Sequence, residues 1–114
     1  MNSRIVIAAY RAKPEKINDL LQILRAKRKF MLEAGYYSPR AAISMTSMKD
    51  PELVIEVFEW TSHEAISSAH EDSRVLEIWG KMDDICYEIG SRLDSFPEAM
   101  QSFPNFEPID LYLE

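Results

Sequence analysis

Residues Leu53 to Trp60 read Leu-Val-Ile-Glu-Val-Phe-Glu-Trp, a run of β-branched and aromatic residues suited to a pleated, buried surface. Side chains alternate along a strand, so Val54, Glu56, Phe58 and Trp60 share one face and Leu53, Ile55, Val57 and Glu59 the other. Both faces are mostly apolar, so the strand belongs inside a sheet. A helix signal follows at once: Thr61 and Glu64 have capping-box spacing, which starts a short helix just after Trp60 and carries it to about His70. A strand that ends in tryptophan, turns over a helix cap and delivers a histidine one helix later is a layout that lines a pocket.

The rest of the chain arranges itself around this run. Arg4 to Arg11 sets Ile5, Ile7 and Ala9 against Val6, Ala8 and Tyr10, a strand expected to be buried on both sides. From Pro14, a good first helical residue, Ile17, Leu20, Leu21, Leu24, Met31 and Leu32 follow helical spacing until Gly35, with Lys16, Asn18, Asp19, Arg25 and Lys29 on the solvated side. Arg40 to Met48 reads as a strand joined to Leu53–Trp60 through the polar turn Lys49-Asp50-Pro51-Glu52. Asp72 and Ser73 cap a long amphipathic helix through Val75, Leu76, Trp79, Met82, Ile85, Cys86 and Ile89 to about Gly90. Ser95 and Glu98 repeat the capping-box spacing, predicting one more helical turn through Met100, and Ile109 to Leu113 can be a last strand.

The order strand, helix, strand, strand, helices, strand is the split βαβ arrangement of a ferredoxin-like α+β domain with an antiparallel sheet. At 114 residues, one domain is expected, with a core over 4–90 and a C-terminal extension over 91–114. Helices on one sheet face leave the other uncovered and apolar, which predicts a homodimer packed through the sheet faces.

Composition narrows the partners. A formal net charge of -6 argues against nucleic acid, which selects a basic face. The single cysteine, Cys86, excludes an internal disulfide and a cysteine metal cluster, so a reducing cytoplasm is the expected compartment. The apolar run Ile5–Tyr10 is too short for a membrane span, which takes about 20 residues. No nucleotide, zinc or calcium motif is present, and neither a metal nor a cofactor is expected.

Glu59-Trp60-Thr61-Ser62 with Glu64-Ala65 and His70, followed by Val75, resembles the strand-end and helix signature of the antibiotic biosynthesis monooxygenase (ABM) domain over roughly residues 4 to 80. The resemblance implies a dimeric α/β barrel of ferredoxin-like protomers. It also implies a choice among cofactor-independent monooxygenases acting on quinols and aromatic polyketides, haem-degrading enzymes, and members without an assigned reaction. The haem-degrading pattern needs an asparagine on the first strand, where this chain has Ile7, Ala8 and Ala9. It also needs a helical histidine where this chain has Trp79. Haem degradation is disfavoured.

Two functions are thus expected as alternatives: a cofactor-independent monooxygenase for a small aromatic or quinol-like substrate, or a non-catalytic dimeric binding protein of the same fold. For the first, Glu56 and His70 are the candidate bases, since a buried carboxylate gains basicity and imidazole changes charge near neutral pH. Trp60 and Trp79 are candidate stacking walls, and Tyr37 and Arg40 candidate donors to the substrate. Structural readings stand beside these. Glu56 or Glu59 can sit at a wet edge or pair with Arg4, Arg11 or Arg40; Trp79 can be core; His70 can be a surface cap; Cys86 on its apolar stripe is read as buried and inert.

Overall fold

The computed structural model describes residues 3–89 and 92–111. Its strands β1 (Arg4–Ala12), β2 (Ile43–Thr46), β3 (Leu53–Trp60), β4 (Cys86–Ile89) and β5 (Glu107–Ile109) form one antiparallel sheet in the order β4-β1-β3-β2-β5. Helices α1 (Ile17–Glu33), α2 (His63–Ala69) and α3 (Ser73–Ile85) connect them. This is the ferredoxin-like α+β fold, extended by β5 at the β2 edge.

β1 and β3 pair along their whole length, with Val6 opposite Phe58, Ala8 opposite Glu56 and Tyr10 opposite Val54. These residues form the helix-facing side of the sheet. Leu20, Leu24 and Met31 of α1 and Val75 and Met82 of α3 are buried against this layer. β1 is not buried on both sides as expected: Ile5 and Ile7, on the outer face, are 62% and 52% exposed.

Several element boundaries differ from the sequence expectation, each for a local reason. Pro14 does not begin α1. The Lys16 amide donates to the Lys13 carbonyl at 3.0 Å and Glu15 takes a left-handed φ of 64°, so Pro14 occupies a turn and the helix starts at Ile17. The cap of α2 is Ser62, whose hydroxyl accepts from the Ala65 amide at 3.0 Å, while Thr61 donates its hydroxyl to the Gly35 carbonyl at 2.9 Å. The long last helix stops at Ile85, because Cys86 turns extended and β4 pairs with the open edge of β1. The expected helix end at Gly90 and strand end at Leu113 lie outside the described residues. β2 keeps only Ile43–Thr46 of the expected Arg40–Met48.

The second sheet face is not bare. Two 3-10 turns, Leu93–Ser95 and Pro97–Met100, fold the C-terminal segment across it, and Phe96 packs on Ala9, Leu53 and Ile55. Glu98 lies in the turn Pro97–Met100, whose N-cap position is Phe96. Its fully buried carboxylate accepts from the Ser47 hydroxyl at 2.9 Å and the Met48 amide at 2.8 Å, clamping the segment to the β2–β3 turn. Burial pushes this carboxyl up, but the hydrogen bonds from Ser47 and Met48 outweigh it and hold the group below the ordinary range.

Candidate active site

A cavity of about 330 Å³ opens between the helix-facing side of the sheet and the helices. Its walls are aromatic. Gly35, at φ 82°, ends α1 in the left-handed conformation that glycine adopts without strain, and the Tyr36 and Tyr37 amides donate back to Met31 at 2.9 and 3.1 Å. That reversal lays Tyr37 beside the end of β3, bridged to Trp60 through the backbone. The Tyr37 ring lies 4.4 Å from Phe58 and meets Trp60 edge-on at 5.1 Å, an arrangement favoured by the ring quadrupoles. Trp79, on the sheet-facing side of α3, forms another wall, with the His70 ring against its edge at 4.9 Å.

The inner end of the cavity is polar. Lys27 and Glu56, 2% and 1% exposed, form an ion pair with Nζ 2.7 Å from Oε1. Tyr10 closes the triangle: its hydroxyl donates to Glu56 Oε1 at 2.9 Å and accepts from Lys27 Nζ at 3.0 Å. The Lys27 ammonium also sits 5.3 Å from the ring centres of both Tyr10 and Phe58. Burial works to discharge this lysine, but the Glu56 carboxylate, with Tyr10 and Tyr37, prevails and holds it well above its usual range, so it stays charged. Burial pushes the Tyr10 and Tyr37 hydroxyls up against the pull of Lys27, so both remain neutral donors.

Sequence reasoning missed Tyr10 and Lys27, and for Lys27 the omission was avoidable. The signal was present: Leu20, Leu24, Lys27 and Met31 fall on one helical stripe, so a lysine occupied a buried position of an otherwise apolar face.

The expected site residues are distributed as follows. Trp60, Tyr37, Trp79 and His70 line the cavity, and Glu56 stands behind it through Lys27 and Tyr10. Arg40 does not join them. Its guanidinium bonds the Glu59 carboxylate at 3.1 Å, and Glu59 belongs to the opposite sheet face. The Ser38 hydroxyl and Arg40 together hold the Glu59 carboxyl below its ordinary range. His70, the exposed C-cap of α2, places Nδ1 2.7 Å from the Ile66 carbonyl. A carbonyl only accepts, so Nδ1 is the donor in this contact, and in that tautomer of the ring Nε2 is an acceptor. At the α2–α3 junction Tyr36 donates to Asp72 at 2.7 Å, and Arg74 bonds the same carboxylate at 2.8 Å while its guanidinium lies over Phe30.

Solved structures share this architecture. One is named "Putative antibiotic biosynthesis monooxygenase" from Nitrosomonas europaea, with TM-score 0.63 and 13% identity over 81% of this chain and 91% of that one. The chain has the ABM fold. A Bordetella bronchiseptica protein of the same name gives TM-score 0.65 and 13% identity over 78% of this chain and 90% of that one. A conserved protein from Methanosarcina mazei Go1 gives 0.64 and 16% over 77% and 85%. No protein-family model matches the chain, and no curated protein does. Identities this low carry the ABM fold and leave the chemistry to the site itself.

Proposed function

We propose that the protein is a cofactor-independent monooxygenase of the ABM type that oxidises a small, flat, hydroxylated arene. The observation that carries this reading is the cavity itself: four aromatic walls, Tyr37, Phe58, Trp60 and Trp79, around a volume suited to one small ligand, with polar groups gathered at one end. In the reaction, the arene loses its O–H hydrogen and one ring C–H hydrogen and keeps one atom of dioxygen as a new carbonyl. The other atom leaves as water, and all four electrons that dioxygen takes up come from the arene. Trp60 and Trp79 stack the ring, Tyr37 donates to its oxygen, and His70 and Glu56 are the proton acceptors. Arg40, tied to Glu59, has no part in it.

Oxygen uptake with a panel of quinols and naphthols tests this, with activity expected in the parent and lost in Trp60→Ala and Glu56→Gln. A second reading, a dimeric binding protein without a reaction, is favoured by how completely the Lys27–Glu56 pair satisfies itself. Ligands that raise the melting temperature yet are never consumed in air would establish it instead. Either way the functional unit is a homodimer through the outer sheet face, supported by exposed Ile5, Ile7 and Ile43. Light scattering at micromolar concentration is expected to give twice the chain mass.

A further inference from the structure

Among the described residues lining the cavity, Lys27 carries the one permanent charge, and it is cancelled by a carboxylate that the ligand does not touch. Tyr10 joins the two. A phenolic hydroxyl has one hydrogen and two lone pairs. The hydrogen of Tyr10 goes to Glu56 and one lone pair takes a hydrogen from Lys27, which leaves one lone pair for a donor arriving from the cavity.

We propose that Tyr10, Glu56 and Lys27 form a charge-exchange site for a ligand hydroxyl. A phenol-type O–H donates to Tyr10, a proton passes on through Tyr10 to Glu56, and the oxygen anion left on the ligand pairs with Lys27. The inference rests on reading the cavity as an aromatic-ligand site. In the step, the ligand O–H and the Tyr10 O–H bonds break, the Tyr10 O–H reforms with the ligand's proton, and a new O–H forms on Glu56. No electrons change hands.

The advantage is electrostatic. Before the exchange the cluster holds one cation and one anion, and afterwards it holds the same. No additional charge is taken out of water, which is the cost that ordinarily keeps an anion out of an apolar site. Of the other titratable groups lining the cavity, Tyr37 is a neutral donor and His70, the C-cap of α2 against Trp79, is left as the acceptor for the ring C–H proton of the proposed reaction. The site therefore selects by proton inventory. An arene with an acidic hydroxyl has a proton to exchange; its methyl ether has none. An arene carboxylate arrives already charged and would leave the buried cluster with a net negative charge. The selected form, a phenolate, is also the electron-rich form that dioxygen attacks.

4-Nitrophenol, whose anion absorbs in the visible, is the probe, titrated without oxygen at a pH below its free ionisation range. Bound to the parent protein it is expected to appear as phenolate, ionising about ten- to a thousandfold more readily, the range an adjacent opposite charge gives an acid. 4-Nitroanisole and 4-nitrobenzoate are expected to bind on the order of tenfold more weakly or worse. Tyr10→Phe, which keeps the ring and its packing, is expected to return the bound probe to its neutral form. So is Lys27→Met/Glu56→Gln, which strands no lone charge in the core. A probe bound in neutral form by the parent, no binding at millimolar probe, or an unchanged phenolate signal in Tyr10→Phe would each overturn the exchange. A bound phenolate with no oxygen uptake in air leaves the exchange standing and sinks the monooxygenase. Oxygen uptake from a phenol bound neutral does the reverse.

Discussion

Lys27 and Glu56 take two full charges out of water, and removing one partner costs more than removing both. Lys27→Met alone is expected to destabilise the protein by about 3–5 kcal/mol in urea titrations, because it leaves the Glu56 carboxylate buried without its cation. Lys27→Met/Glu56→Leu should recover most of that loss. Trp60→Ala opens a hole between Tyr37 and Phe58 and is expected to cost about 3–5 kcal/mol, so its activity has to be measured well below its melting temperature. Cys86 gives a test of a different kind. Burial, helped by Asp83, pushes its thiol up to about 11, so at pH 8 it is a neutral thiol and not the nucleophilic thiolate. A disulfide reagent at pH 8 is expected to leave the native protein unlabelled and to titrate one thiol in denaturant.

The elements differ in how far their sequences specify them. β3 was readable in full, because its β-branched and aromatic residues favour a strand and no glycine or proline interrupts it. The end of α3 was not, because Cys86 and Ile89 also fit a helical stripe and only the unpaired edge of β1, a long-range feature, draws them into β4. The cavity was half readable. Trp60 followed from a strand end, Tyr37 from a turn, His70 from a helix end and Trp79 from a helical stripe, whereas Lys27 was hidden among the charges of α1 and is defined by contacts with residues 17 and 29 positions away. The α2–α3 junction yields a pH prediction. Arg74, together with Tyr36, holds the Asp72 carboxyl well below its usual range. A depressed carboxylate contributes stability that is present above the ordinary carboxylate range, about pH 4, and is lost as the pH falls through the folded-state value. Acid titration of the melting temperature should therefore be shallower in Asp72→Asn than in the parent. Ser62→Ala, which removes the cap of α2, is expected to cost about 1 kcal/mol at any of these pH values.

At the scale of the whole molecule, the C-terminal segment decides which surfaces remain. Glu98 anchors it, so Ser47→Ala should loosen the segment at a cost of about 1–3 kcal/mol, seen as faster amide exchange at Met48 and Ala99 while the β1–β3 ladder stays protected. The segment then runs on to β5, which occupies the free side of β2 with three residues centred on Pro108. A proline has no amide hydrogen to offer, and a strand of three residues makes a poor template for another chain. The opposite border, β4, is only four residues long. Both borders of the sheet are thus poor places for a ladder to grow, whereas the apolar outer face near Ile5, Ile7 and Ile43 stays open. Growth from chain to chain by added strands, the route to fibrils, is discouraged at each end, and the apolar surface that remains lies on the face of the sheet rather than along its borders.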